Sequence, residues 1–412
     1  MYWRFNSKSW FVGIVFLLVI MAAATGKVIY VDDDGPADFN TIQAAIDDSN
    51  DGDTIIVQPG LYDEDIDFLG KNILLTSTNP TNPNTVSATI IGIDYENEAT
   101  VMFRGTENPN CMLAGFNING FIKGCDVIYD SNGFPIPSSL QHTHATISNC
   151  LLKGNYGNCG TVIMCCDGII NNCVIVDNKD PHCLYTPEFP PFAISLCHGL
   201  IKNCTIANNT GGRGIELLNG ETTIHNCVLS NSNIIALGIG SKINIMYSNV
   251  NCGIFGDVNL GPGNIDTDPC FVRAGYWEYY EQDWIYFEGD YHLKSQAGRW
   301  EPNSPNWVQD DVTSPCIDAA DPMSPIGGEP FPNGGRVNMG AYGGIIEASK
   351  SYFGGPVCET IVAGDVNGDC KVNFLDFRIM ALHWLEDNNP PSPPFPPPPP
   401  PPDPPPPPPP GG

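Results

Sequence analysis

Basic side chains are scarce in this 412-residue chain: 18 Lys and Arg stand against 46 Asp and Glu, a formal net charge of −28. A surface of that sign repels phosphate backbones, which excludes nucleic acid as a partner. Charge of either sign is thin, at 16% of residues, while Gly and Asn are abundant, as many tight turns require. CxxC pairs are absent, so cysteine-bound zinc is not expected. Nucleophile elbow, phosphate-binding glycine loop and dinucleotide fingerprint are absent too, which removes the commonest hydrolase, NTPase and dehydrogenase sites. Only one apolar run is long, Trp10–Ile20, and it is too short for a comfortable membrane span. Arg4 and Lys8 precede it and Ala22-Ala23-Ala24 follows, the arrangement of a secretory signal over residues 1–24. The expectation is a secreted or cell-surface protein with no stable membrane span after cleavage.

What is present is a line written four times: TISNCLLKGN from Thr146, IINNCVIVDN from Ile169, LIKNCTIANN from Leu200 and TIHNCVLSNS from Thr223. A decayed fifth copy, INIMYSNVNC, starts at Ile243. Anchored on Cys150, Cys173, Cys204, Cys227 and Val250, the steps are 23, 31, 23 and 23 residues. One unit repeats, with an eight-residue insertion in one copy, and such self-similarity marks a solenoid. Alternating β-branched residues flank Asn149, Asn172, Asn203 and Asn226, so each unit reads as strand, Asn bend, strand. Stacked about 4.8 Å apart, the Asn side chains can bond in a ladder beside an inward column of cysteines. A coil of this length has no room for a helix and suggests three short strands per turn. The pattern resembles the bacterial right-handed β-helix repeat family across roughly residues 100–260. The implied fold class is all-β, a right-handed parallel β-helix.

Sixteen Cys in a secreted chain ordinarily signal disulfides. The ladder cysteines fit better as reduced, buried fillers, with Cys166 and Cys197 forming a second column. Off-repeat pairs, Cys358 with Cys370 and Cys270 with Cys316, are the disulfide candidates.

At the N-terminal end, Asn40 is placed to cap a short helix over residues 41–46 that covers the solenoid's open edge. The text of residues 30–66 resembles the opening segment of pectate-lyase-like and pectin-esterase-like β-helices, a likeness of architecture alone. Two stretches interrupt the repeat and are expected as rim loops: 129–144, with His142 and His144, and 179–191, with His182, Tyr185 and Glu188. Residues 263–346 resemble a module that closes many secreted bacterial β-helix proteins. Its Trp277, Trp284, Tyr286, Trp300 and Trp307 are expected to pack over the open C-terminal end, a sugar-stacking surface being the alternative. The implied layout is a signal at 1–24, capped β-helix at 25–262, closing module at 263–353, calcium module at 354–389 and a proline-rich tail at 390–412 in polyproline II.

The sharpest motif lies in that fourth segment. Asp365, Asn367, Asp369, Asn373 and Asp376 place oxygen-bearing side chains at loop positions 1, 3, 5, 9 and 12, with the carbonyl of Lys371 at 7. This is how one short loop wraps a hard cation such as Ca²⁺. Leu375, Phe377, Ile379, Met380, Leu382 and Leu385 then form an apolar stripe at helical spacing. The segment resembles one repeat of a dockerin, which implies a small helical Ca²⁺-binding module and a cohesin-like protein partner. It departs from that pattern in having Cys370 where Gly is usual, and one repeat where two are usual.

Catalytic signals are weaker. Strands at 161–165, 192–196, 214–218 and 234–239 share one face, with Met164, Ser195, Glu216 and Ala236 or Gly238 outward. Related β-helix lyases use acidic Ca²⁺ ligands and a Lys or Arg base there, whereas this row holds no carboxylate cluster. Arg213 beside Glu216, with His182 and Glu188 on a flanking loop, are the candidate catalytic residues; a solvated rim is the plainer reading. The sequence supports a secreted β-helix protein that binds polysaccharide or cell-surface matrix. A lyase or hydrolase acting on an acidic glycan and a structural surface protein or adhesin are the alternatives.

Overall fold

A computed structural model describes residues 26–92, 99–125, 141–156, 161–179, 192–209, 213–237, 240–280, 283–351, 372 and 374–382. The leader, His182, Tyr185, Glu188, the Cys358–Cys370 pair, Asp365, Asn367, Asp369, Lys371, Asn373 and the proline tail lie outside the described residues.

Three parallel sheets of ten, eight and eight strands run the length of a right-handed β-helix, eight coils contributing one strand to each sheet and the ten-stranded sheet carrying one further strand at either end. In the ten-stranded sheet, Ile29, Ile55, Leu75, Leu113, Ile147, Ile170, Ile201, Ile224 and Ile245 follow one another in register. The column is wholly inside. A second sheet lines the lumen with Leu152, Ile175, Ile206, Leu229 and Val250. The third does so with Val101, Ile122, Ile163, Ile194, Ile215 and Ile234. Each buried aliphatic side chain is worth about 1.5–3 kcal/mol of transfer free energy, so the lumen is the main source of cohesion. Parallel register requires the period-2 alternation of the sequence to point one set inward in every coil.

The bends explain the Asn signal. Asn149, Asn172, Asn203 and Asn226 have φ of 52°, 52°, 49° and 55°, the left-handed region that Asn tolerates. Asn226 Nδ2 donates to Asn203 Oδ1 at 3.1 Å and Asn203 Nδ2 to Asn172 Oδ1 at 3.4 Å, so the ladder forms over these three coils. Asn172 donates instead to the carbonyls of Ala341 and Gly343. Residue 172 stacks on 203 just as 203 does on 226, so the longer step is an insertion, not an extra coil. One coil earlier the bend is Gly115, φ 82°, which hid that coil's kinship with the repeat.

The cysteine column is buried and unbridged. Cys204 N–H points at Cys227 Sγ and Cys173 N–H at Cys204 Sγ, both at 3.4 Å. Burial pushes the Cys166 thiol up to about 12, so it stays protonated and inert. Two expectations are corrected here. The fifth copy registers on Ser248, whose Oγ accepts from Cys227 N–H across a 21-residue step, while Val250 belongs to another column. Cys270 and Cys316 are separate thiols rather than a disulfide.

The N-terminal helix spans Ile42–Asp48 and buries Ile42, Ala45 and Ile46 over the first coil. Its cap is not Asn40, whose amide donates to the Asp32 carbonyl. The Glu64 carboxylate, from the next coil, accepts from the N–H groups of Ile42 at 2.6 Å and Gln43 at 2.9 Å. Negative charge at a helix N-terminus does the same work as a local cap.

After Leu260 the chain turns back and forms short antiparallel ribbons, at Tyr276–Tyr280 with Asp283–Phe287 and at Arg299–Glu301 with Asn306–Val308. Residues 262–265 pair with the last coil, but the ribbon of residues 276–287 lies along the flank of the second sheet, which corrects the expected position of Trp277, Trp284 and Tyr286 over the helix end. Trp277 and Tyr286 dock on residues 154–177, in the middle of the solenoid. The reason is chemical: Val174, Val176, Thr205, Ala207 and Val228 make the outer face of that sheet apolar, and they are buried under Phe271, Tyr291, Met339 and Ala341. Among the described residues, no helix is long and apolar enough to cross a membrane.

Candidate functional site

With the second sheet covered by the closing region, the third sheet is, among the described residues, a long face without such a cover. Its outward row runs Asp67, Met102, Lys123, Met164, Ser195, Glu216, Ile235 and Phe255 in register. Met164, Ser195 and Glu216 sit as the sequence predicts. The fourth residue is Ile235, because Ala236 points into the lumen, and Gly238 lies outside the described residues. Ser195 Oγ donates to Glu216 Oε2 at 3.0 Å. Asp67 is paired with Arg104. Lys123 and Glu216 are three coils apart, about 14 Å at strand spacing. Thus the described part of the row offers no facing carboxylate pair of the kind a glycosidase needs and no cation beside a carboxylate cluster. Arg213 opens the strand that carries Glu216, and its backbone pairs with Asn233 across a local irregularity.

Two features border this face. On the side toward the second sheet, the bend at Asp177 anchors the ribbon of residues 276–287. Asp177 accepts from Tyr291 Oη, from Tyr286 Oη at 2.9 Å and from Asn208 Nδ2 at 2.6 Å, and its carbonyl accepts from Trp277 Nε1 at 2.6 Å. That fixes the inner face of the ribbon and leaves Tyr276, Tyr280, Ile285 and Phe287 exposed on the outer one, with Tyr276 and Phe287 stacked at 4.6 Å. Lys179 Nζ lies 3.1 Å from the centre of the Trp284 ring, a cation–π contact.

On the side toward the ten-stranded sheet, three successive coils bring His142, Asp167 and His198 together. Asp167 Oδ1 lies 2.9 Å from Nδ1 of both imidazoles and accepts the His198 backbone N–H at 3.0 Å. The two rings are parallel, centres 4.9 Å apart. Burial opposes ionisation of Asp167, but the hydrogen bonds from His142 and His198 outweigh it and hold the carboxyl well below the usual range. The bond to Asp167 raises His198 against its own burial, and the backbone oxygens of Leu218 and Asn219 add to the rise.

Of the histidines on the expected rim loops, the structure assembles His142 with two partners that sequence reasoning passed over. The signal was there in the repeat. Cys166-Asp167-Gly168 and Cys197-His198-Gly199 occupy the same place in successive coils. The glycines are forced, because a Cβ would fall 2.0 Å from the Ala145 carbonyl oxygen at Gly168 and 1.9 Å from the Gly168 carbonyl oxygen at Gly199. The residue between Cys and Gly is the free choice, and here it is Asp in one coil and His in the next. His144 stays outside the cluster.

A family model described as disaggregatase related matches residues 138–320. Over that segment the chain is similar to this family. The match takes in the four clear repeats, the His–Asp–His cluster and the aromatic ribbon. No curated protein matches. Among solved structures, a pectin methylesterase from carrot aligns at 13% identity with a TM-score of 0.26, over 58% of this chain and 84% of that one.

Proposed function

We propose that this is a secreted or cell-surface β-helix protein that binds polysaccharide or the cell-surface matrix along its open third sheet. The observation that carries the reading is the character of that face. Eight stacked strands make a strip about 34 Å long, of mixed polar and apolar character and bordered by exposed aromatic rings, which suits an extended, hydroxyl-rich chain. Its similarity over residues 138–320 to a disaggregatase-related family accords with a matrix ligand. The test is retention on a panel of neutral and acidic polysaccharides, with absorbance of unsaturated uronate recorded in parallel. Binding is expected without turnover. Phe255→Ala with Tyr280→Ala, both at exposed positions, is expected to weaken it at least about tenfold, the scale of lost aromatic contacts, with no change in thermal midpoint. Unchanged binding in the double variant would remove the reading. Accumulating unsaturated product would instead support the lyase alternative, for which the paired imidazoles about Asp167 are the available acid–base groups.

Residues 354–389 are proposed as a dockerin-like module, with Asp365, Asn367, Asp369, Asn373, Asp376 and the Lys371 carbonyl as Ca²⁺ ligands and a cohesin-like protein as partner. The layout of leader, β-helix, closing module, calcium module and proline tail set out above belongs to the same proposal. Asp376 is fully buried at the start of the helix Phe374–Leu382, whereas Phe374, Phe377 and Met380 are exposed along it, which suits a docking face. Calorimetry of the full chain is expected to show one Ca²⁺ bound, and Asp365→Ala with Asp376→Ala is expected to abolish it. Crowded carboxylates repel one another without the ion, so binding couples to local folding. Absence of calcium-dependent heat at about millimolar Ca²⁺, the weak end for such loops, would leave no docking role.

A further inference from the structure

We propose that His142, Asp167 and His198 form a binding site for a divalent transition-metal ion of the zinc class, ligated by the two Nδ1 atoms and Asp167 Oδ1. Nothing in the open-face reading requires it, and the two stand or fall separately.

The donor atoms already sit at nearly the right separations. Each imidazole nitrogen is 2.9 Å from Oδ1, and all three donors lie within 4.8 Å of one another. Around an ion bound at about 2.0–2.2 Å, tetrahedral ligands are roughly 3.3 Å apart. A shift of a few tenths of an ångström at the carboxylate, and a convergence of the two stacked rings, admits the ion. Two neutral imidazoles and one carboxylate give the intermediate softness that suits zinc and its first-row neighbours rather than Ca²⁺. Three protein ligands leave one position for water or for a ligand oxygen arriving from the adjoining open sheet.

The backbone holds these ligands rigidly. Thr143, next to His142, donates its N–H to the carbonyl of Gly124 at 2.7 Å, Asp167 N–H donates to the Thr143 carbonyl at 2.8 Å, and Gly199 follows His198 in tight contact with Gly168. A second observation concerns the far side of the His198 ring. Its Nε2 is buried without a hydrogen-bond partner, which leaves Nδ1, 2.9 Å from Asp167 Oδ1, as the ring's donor atom toward the ion.

The test is calorimetric titration of the full chain with Zn²⁺ at pH 7.5, with Ca²⁺ present to fill oxygen-rich sites. One Zn²⁺ is expected, with a dissociation constant on the order of micromolar or tighter. Affinity should fall steeply below about pH 6, where protons compete for the imidazoles. His142→Gln, in the segment ahead of the first repeat strand, and Asp167→Asn, in the coil itself, should each weaken binding at least about a hundredfold with unaltered circular dichroism. If Asp167→Asn does not fold, His142→Gln decides alone. No saturable binding up to about 1 mM Zn²⁺, or full affinity retained in His142→Gln, overturns the proposal.

Discussion

Replacing Glu329 by Gln is expected to stabilise the protein by several kcal/mol at pH 9 and to leave it almost unchanged at pH 4. Glu329 is nearly buried in the closing region, where Oε1 accepts the N–H groups of Asn338 at 2.8 Å and Gly344 at 2.9 Å while Oε2 has no partner. Burial pushes its carboxyl up to about 8, against the pull of those two N–H groups, and neighbouring Asp318 adds to the rise. In the unfolded chain the group titrates near 4.5. Between these values the folded state binds more protons than the unfolded one, so stability is greatest below about pH 4.5 and declines as pH rises toward 8. At about 1.4 kcal/mol per pKa unit, the full loss is roughly 3–5 kcal/mol. Gln keeps the Oε1 acceptor and carries no charge to desolvate. Urea midpoints of both proteins at pH 4 and pH 9 are the measurement, and a variant-minus-wild-type difference that is equal at the two pH values would refute the argument.

Asp177→Ala is expected to release the aromatic ribbon from the solenoid at a cost of at least about 3 kcal/mol. The substitution strands the buried Tyr291 hydroxyl and the half-buried Tyr286 hydroxyl, while Asn208 keeps its bond to the Gly275 carbonyl, and each unsatisfied buried group costs about 1–3 kcal/mol. It also places Ala at φ 59°, a conformation that costs a non-glycine residue roughly 1–2 kcal/mol. Asp177→Asn keeps an acceptor and tolerates the bend, so it should lose much less. Because the lumen of the β-helix does not depend on these bonds, the effect should be local. Protease cleavage within residues 276–287 and a red shift of tryptophan emission should appear while the β-sheet circular dichroism persists. An alanine variant as resistant as wild type would show that packing of Trp277 and Tyr286 alone holds the ribbon.

The repeat was legible because stacking coils demand the same residue at the same place. Left-handed bends select Asn, the lumen selects Ile, Leu and Val in alternation, and the register across the 31-residue step follows. Legibility failed wherever a different residue met the same demand. Gly115 replaces Asn at one bend, Ser248 replaces Cys in the column, and Glu64 caps a helix from the next coil in place of Asn40. Sequence alignment of the fifth copy on Val250 missed by two residues for that reason.

By itself the sequence determined the all-β solenoid, its strand spacing, its inward columns and its acidic, charge-poor character, since each follows from local backbone geometry and burial repeated coil by coil. Only the tertiary structure decided which faces are covered and which chemical groups meet. The closing region settles on a flank because one sheet is apolar outside as well as inside, in Val174, Val176 and Val228. His142, Asp167 and His198 converge because three segments far apart in the chain stack at one corner. Asp167 and His198 share one place in the repeat, but His142 precedes the first copy and joins them only through the stacking of its coil on theirs, which no repeat in the sequence marks.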